Sequence, residues 1–138
     1  MNWTLEVVVV PVRDVETAKT FYADKLGFHV DHDTRISDAV RVTQLTPKGS
    51  GCSIVLSKGL HSMQPGSQKG LQLVVNDVRA AHAYLVAQGV ECSPVQYFGR
   101  DGEVRPAVAG DDLNNSGFIF FDDPDGNSWA IQQITARP

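Results

Sequence analysis

The chain has 138 residues, of which 42% are hydrophobic, and a formal net charge of −4. That length and apolar content suit one ordinary domain with a buried core and exclude a disordered chain. The 12 Lys and Arg are scattered among 16 Asp and Glu, which excludes broad phosphate binding and makes nucleic acid an unexpected partner.

Val7 to Val12 is the first strand signal, a β-branched run broken only by Pro11. It is also the longest apolar run and is far too short to span a membrane. Residues 1–4 show no basic or apolar leader pattern, so a cytoplasmic protein with no membrane partner is expected. Asp14 then stands where a helix N-cap is wanted, and Val15, Ala18, Phe21 or Tyr22, and Leu26 make one helical face that ends at Gly27. Three extended segments follow, Phe28 to Ile36, Ala39 to Leu45 and Cys52 to Ser57, with a turn at Thr46 to Gly51. Lys58 to Lys69, rich in Gly, Ser, Gln and Pro, reads as a linker and contains His61. Leu71 to Val75 is the next strand, Asp77 the next cap, and Val78, Ala81 and Leu85 the next helical face, ending at Gly89. Val90 to Phe98, Phe118 to Phe121 and Ser128 to Ile134 read as extended, and Asp122 to Asn127 as the turn between the last two. Gly99 to Asn115 is a long polar loop with no evident structure, hence functional or mobile. Cys52 and Cys92 form no C-x-x-C pair and are expected as reduced thiols.

The second half echoes the first. Asp14 and Asp77, Val15 and Val78, Ala18 and Ala81, and Phe21 and Tyr84 are all 63 residues apart, whereas Gly27 and Gly89 match after a one-residue deletion. Two βαβββ modules are therefore expected, module one about 1–57 and module two about 70–138, within a single domain.

Other constellations are weaker. His29, Asp31 and Asp33 alternate along a strand and are expected on one face, with Phe28, Val30 and His32 on the other; a solvated face explains them. Asp123, Asp125 and Asn127 have Ser128 and Ile134 where a calcium loop needs Gly and an acid, so they read as a turn. His82 lies on the second helix with no carboxylate at a diagnostic spacing.

Four stretches in order resemble the vicinal oxygen chelate superfamily, also called the glyoxalase / bleomycin-resistance / dioxygenase superfamily: Val10 to Val15, Phe21 to Phe28, Asn76 to Val78, and Phe121 to Trp129. The resemblance implies an α+β fold in which two βαβββ modules form a curved eight-stranded mixed sheet around a cleft, with helices on the outer side. It also implies a divalent metal in many members, held from four strand positions. Those positions fall here on Val7, Val55, Gly70 and Ala130, none of which carries a metal donor. The departure points to a metal-free, bleomycin-resistance-like member with no cofactor. Gln72 and Gln132 keep the cleft-facing parity, but two amides make a weak metal site.

Alternation places Val7, Val9, Gln72, Ala130 and Gln132 along the implied cleft, with Phe118 and Phe120 adding aromatic surface and Tyr97 and Phe98 bordering the long loop. Such a lining suits a bulky, partly flat organic ligand, and a packed core or dimer interface is the competing use. The favoured expectation is a small-molecule binding protein, a homodimer as members commonly are, that sequesters an antibiotic or aromatic metabolite. The alternative is a lyase, isomerase or dioxygenase with a non-standard or absent metal site. By residue type alone, His32, Asp33 and Glu103 are candidate bases for that chemistry.

Overall fold

The computed structural model describes residues 1–58 and 62–137, so residues 59–61 of the expected linker, His61 among them, lie outside the described residues. The elements of the first half are β1 (Val7–Pro11), α1 (Val15–Lys19) continued by a π-helical segment (Thr20–Lys25), β2 (His29–Arg35), β3 (Arg41–Thr46) and β4 (Ser53–Lys58). Those of the second half are β5 (Leu71–Val75), α2 (Val78–Ala87), β6 (Gln96–Phe98), β7 (Val104–Pro106), β8 (Gly117–Asp122) and β9 (Ser128–Gln133). No helix among the described residues is long and apolar enough to cross a membrane.

The class is α+β with two βαβββ modules, as the repeat requires. One sheet has the order β1-β4-β3-β2 and the other β5-β9-β8-β6-β7, so the modules share one strand order once β7 is set aside. Each sheet is mixed, with β1–β4 and β5–β9 parallel and the remaining pairs antiparallel. The expectation of one eight-stranded sheet is corrected. The strands divide between two sheets, and β7 adds a ninth strand among the described residues. It arises because the loop after β6 turns back at Gly99–Glu103 and pairs Val104–Pro106 with Phe98–Gln96.

The chain groups into two compact units. The first holds residues 1–68 together with 123–127; the second holds residues 69–122 and the chain from Ser128 onward. In the first unit α1 packs on β3 and β4, burying Val15, Ala18, Phe21 and Tyr22 with Leu45, Ile54 and Leu56. In the second, α2 packs on β8 and β9, burying Val78 and Leu85 with Ile119, Phe121, Trp129 and Ile131.

Local chemistry starts and stops both helices. The Asp14 carboxylate accepts the Glu16 and Thr17 amides, and Asp77 accepts the Ala80 amide at 3.1 Å. Gly27 and Gly89 have φ of +78° and +74°, the left-handed geometry a helix C-terminus needs. In the second module the Val90 amide closes the helix on the Leu85 carbonyl at 2.9 Å. In the first, Phe28 closes on Tyr22 at 2.9 Å, one residue further round. That extra residue is the one-residue offset in the repeat, and the helix absorbs it by widening into the π-helical segment. The widening buries Phe21 and Tyr22 together, their rings edge to face at 5.2 Å.

A buried polar network lies in the first unit. Asn127 is fully buried; its Nδ2 donates to the Pro11 carbonyl (2.9 Å) and to Asp123 Oδ2 (2.8 Å), and its Oδ1 accepts the Gln68 amide (3.0 Å). Asp123 also accepts from the Tyr22 hydroxyl at 2.7 Å and from the Asp125 and Asn127 amides at 2.9 Å. The Asp-Pro-Asp-Gly-Asn turn is therefore a buried anchor for β1 and α1 as well as a chain reversal.

Candidate ligand-binding face

In the second unit, alternation along each strand sends one set of side chains toward α2 and the other to a helix-free face. Residues paired across strands share a face. Register then puts Gln72, Ala130 and Phe120 in one row, and Val74, Gln132, Phe118 and Gln96 in the next. Phe98, two residues after Gln96, joins them.

Three aromatic rings converge there. Phe98 lies edge to face with Phe118 (centroids 5.0 Å apart) and Phe120 (5.9 Å), while Phe118 and Phe120 are near parallel at 6.2 Å. Phe120 is 40% exposed and Val74 42% exposed, so this is apolar surface left open among the described residues. A polar ladder runs beside the rings. Gln72 Nε2 donates to Gln132 Oε1, and Gln132 Nε2 donates to the Asn115 carbonyl at 2.9 Å. Asn115 has φ of +63°, a left-handed conformation that Asn tolerates better than most residues, and this places its carbonyl for Gln132. The face can therefore stack a flat apolar group and orient it by amide hydrogen bonds.

Gln72, Phe98, Phe118, Phe120, Ala130 and Gln132 thus come together. Tyr97 does not join them. It pairs with Gly117, whose Cβ would point at Leu113 and Val78 on the α2 side, and its ring packs under the Arg105 guanidinium at 4.3 Å. Val7 and Val9 lie in the first unit on β1, with Val7 40% exposed and Val9 half-buried, while Val10 on the opposite face is fully buried. Arg105 was not singled out from the sequence; its place two residues after Glu103 in a polar loop carries no signal.

The loop after β6 is more ordered than its sequence suggests. Arg105 grips Asp111 with two hydrogen bonds of 2.9 Å, Asp111 accepts the Val108 amide at 2.7 Å, and Arg79 donates to the Val108 carbonyl at 2.7 Å. The Arg105 guanidinium, first, and the Val108 amide hold the Asp111 carboxyl down to about 2. A lowered folded pKa means that the stabilisation is full above the unfolded value and is lost as pH falls toward 2. The Val108 amide resonance is therefore expected to titrate with a midpoint near 2 rather than near 4, and in Asp111→Asn this titration should vanish. A midpoint near 4 in the wild type would contradict the clamp.

The metal-ligand positions of the resembling family do not fit a metal here. Val7, Val55 and Ala130 carry hydrocarbon and Gly70 carries no side chain, while the neighbouring Gln72 and Gln132 are bonded to each other. Among the described residues no three His, Cys, Asp or Glu side chains converge. The expected shared face of His29, Asp31 and Asp33 is corrected by a bulge. Val30 pairs with Leu45 and His32 with Gln44, which leaves Asp31 as the extra residue. Asp31 then bonds Gln44 and Thr46, whereas Asp33 turns to Arg41, Lys19 and Thr43 on the α1 side. Arg41 chiefly, with Lys19 and Thr43, holds the Asp33 carboxyl far below the usual carboxylate range, which disqualifies it as a base at neutral pH. Glu103 pairs with Arg105 at 3.0 Å, and His32 is exposed. Cys52 and Cys92 are free thiols, and burial pushes the Cys92 thiol up.

The chain is 32% identical to TnmS3, an antibiotic binding protein from Streptomyces sp. CB03234, over 96% of this chain and 97% of that one, with a TM-score of 0.75. It is also 32% identical to a glyoxalase/bleomycin resistance protein from the same organism, over 94% of this chain and 100% of that one, with a TM-score of 0.71. A superfamily member from Sphaerobacter thermophilus DSM 20745, 22% identical over 96% and 98% of the two chains, shares the fold at a TM-score of 0.75. Among curated proteins none matches. The family model for the Glyoxalase/Bleomycin resistance protein/Dioxygenase superfamily matches residues 4–131. With the duplicated βαβββ module and that match across most of its length, the chain belongs to the Glyoxalase/Bleomycin resistance protein/Dioxygenase superfamily.

Proposed function

We propose that this protein binds and sequesters an antibiotic or related aromatic metabolite without a metal, stacking it on the helix-free face of the second sheet. One observation carries the reading: Phe98, Phe118 and Phe120 form a half-exposed aromatic cluster beside the Gln72–Gln132 ladder. Rings already in contact present a rigid apolar platform, so little side-chain freedom is lost when a flat ligand lands on it. The 32% identity to an antibiotic binding protein supports the same direction. Sequestration needs complementary surface and no catalyst, which suits the hydrocarbon at Val7, Val55 and Ala130.

The test is calorimetric titration of the purified chain with a panel of antibiotics containing fused aromatic rings, before and after treatment with EDTA. Saturable binding that EDTA leaves unchanged, in protein that elemental analysis finds free of transition metal, is the expected result. Binding that requires a stoichiometric metal would overturn the metal-free reading, and no binding across the panel would overturn the ligand class. The binding species is proposed to be a homodimer. Trp3 and Leu5, 87% and 70% exposed before the edge strand β1, are apolar surface for a second copy to cover. Light scattering that reports a monomer at working concentration would remove this part.

A further inference from the structure

We propose that the first unit carries a separate site for a small organic carboxylate, built around Ser57. A cavity of about 380 Å³ lies there, walled by Pro11, Val12, Met63 and Pro65, with Ser57, Arg13 and Lys58 supplying its polar groups. Ser57 is only 5% exposed, and among the described residues its hydroxyl is the buried side-chain polar atom without a hydrogen-bond partner. The backbone around it is satisfied. The Ser57 carbonyl accepts the Val12 amide at 3.2 Å, and the Pro11 carbonyl accepts Gly66 at 3.1 Å and Asn127 at 2.9 Å. A buried hydroxyl with no partner is costly, and a group so placed beside a cavity calls for an explanation in what fills the cavity.

The charges identify the guest. Arg13 and Lys58 are exposed cations whose side chains make no hydrogen bond or ion pair among the described residues. Asp14, the carboxylate that feels the Lys58 charge, is committed to the α1 cap. A carboxylate entering the cavity meets both cations, and rotation about the Ser57 χ1 bond, which breaks no hydrogen bond, would turn the covered hydroxyl to it. Pro11, Val12, Met63 and Pro65 then cover an apolar body, which a bare inorganic anion lacks.

Benzoate is a suitable probe and benzamide its neutral counterpart, both titrated into the full chain and followed by backbone amide shifts. Benzoate is expected to shift the Val12, Ser57 and Met63 amides, with benzamide binding at least about tenfold more weakly because it forfeits the charged hydrogen bonds. Ser57→Ala separates a site from an ordinary core residue. It should raise the thermal midpoint of the ligand-free protein, since an orphan hydroxyl is removed, and yet weaken benzoate about tenfold. Arg13→Gln should weaken benzoate and flatten its salt dependence. The proposal fails if benzoate leaves those amides unmoved, if benzamide or inorganic phosphate binds as well as benzoate, or if Ser57→Ala binds benzoate unchanged or lowers the thermal midpoint. In Phe120→Ala the benzoate-induced shifts of the Val12, Ser57 and Met63 amides should keep their wild-type midpoint, whatever happens on the aromatic face, so this site stands or falls apart from that face.

Discussion

Asn127→Ala is expected to destabilise the folded protein by about 3–4 kcal/mol, the largest single effect predicted for this chain. The residue is fully buried and makes three side-chain hydrogen bonds, to the Pro11 carbonyl, to Asp123 and to the Gln68 amide. Alanine removes the amide: the half-buried Gln68 amide loses its acceptor, while the Pro11 carbonyl keeps the Gly66 amide and Asp123 keeps the Tyr22 hydroxyl and two backbone amides. The penalty is the loss of three hydrogen bonds at once together with the void left by a fully buried side chain. Asn127→Asp keeps the shape but replaces a donor with an acceptor facing Asp123 and the Pro11 carbonyl, so it should be no better tolerated than alanine. Tyr22→Phe removes one bond to Asp123, which keeps three other donors, and should cost about 1.5–2 kcal/mol. Urea unfolding monitored by circular dichroism reads all three. An Asn127→Ala midpoint close to wild type would mean that the network is not what anchors β1 to the turn.

That network also marks a limit of what the sequence discloses. The Asp-Pro-Asp-Gly-Asn stretch reads as a turn from its Pro and Gly alone, and it is one. The burial of Asp123 and Asn127 is decided by Tyr22 and Pro11, which lie 101 and 116 residues away along the chain, and no local pattern encodes that. By contrast, the duplicated module was legible because its signals are local. An Asp accepts the first free amides of each helix and a Gly supplies the left-handed turn at its end. Even the π-helical segment was visible as the one-residue offset between the copies, though not its form. The bulge at Asp31 was invisible, because no Gly or Pro flags it; strict alternation therefore grouped Asp33 with Asp31, when Asp33 faces Arg41. β7 was missed because Val-Arg-Pro is too short to show a period and ends in a residue without an amide hydrogen. In the candidate face, Phe118, Phe120, Ala130 and Gln132 were legible from period-two parity on two regular strands. Tyr97 was grouped with Phe98 only by proximity in sequence, and adjacent strand residues point to opposite faces.

On the aromatic face, Phe120→Ala is expected to weaken binding of an aromatic antibiotic by about 30-fold while barely changing stability, since truncating a central aromatic contact costs about 2 kcal/mol. The two effects separate because of where the ring sits. Phe120 is 40% exposed, so its removal opens no closed cavity and its stability cost should stay near the surface-substitution range. Phe118 is more enclosed and contacts both Phe98 and Phe120, so Phe118→Ala should weaken binding and lower stability together. Phe120→Leu distinguishes ring from area. It keeps most of the apolar surface and loses the π-face, so the deficit that remains, about 0.5–1.5 kcal/mol, measures stacking. Gln132→Leu tests the ladder separately: it removes the partner of Gln72 and the bond to Asn115, and should relax selectivity among ligands that differ in carbonyl or hydroxyl placement more than it lowers overall affinity. Titration calorimetry on the tightest-binding member of the antibiotic panel, paired with thermal melts of each variant, resolves these outcomes. If Phe120→Ala bound that ligand as well as wild type does, the ring cluster would be surface without a ligand, and the aromatic face would have to be surrendered as the binding site.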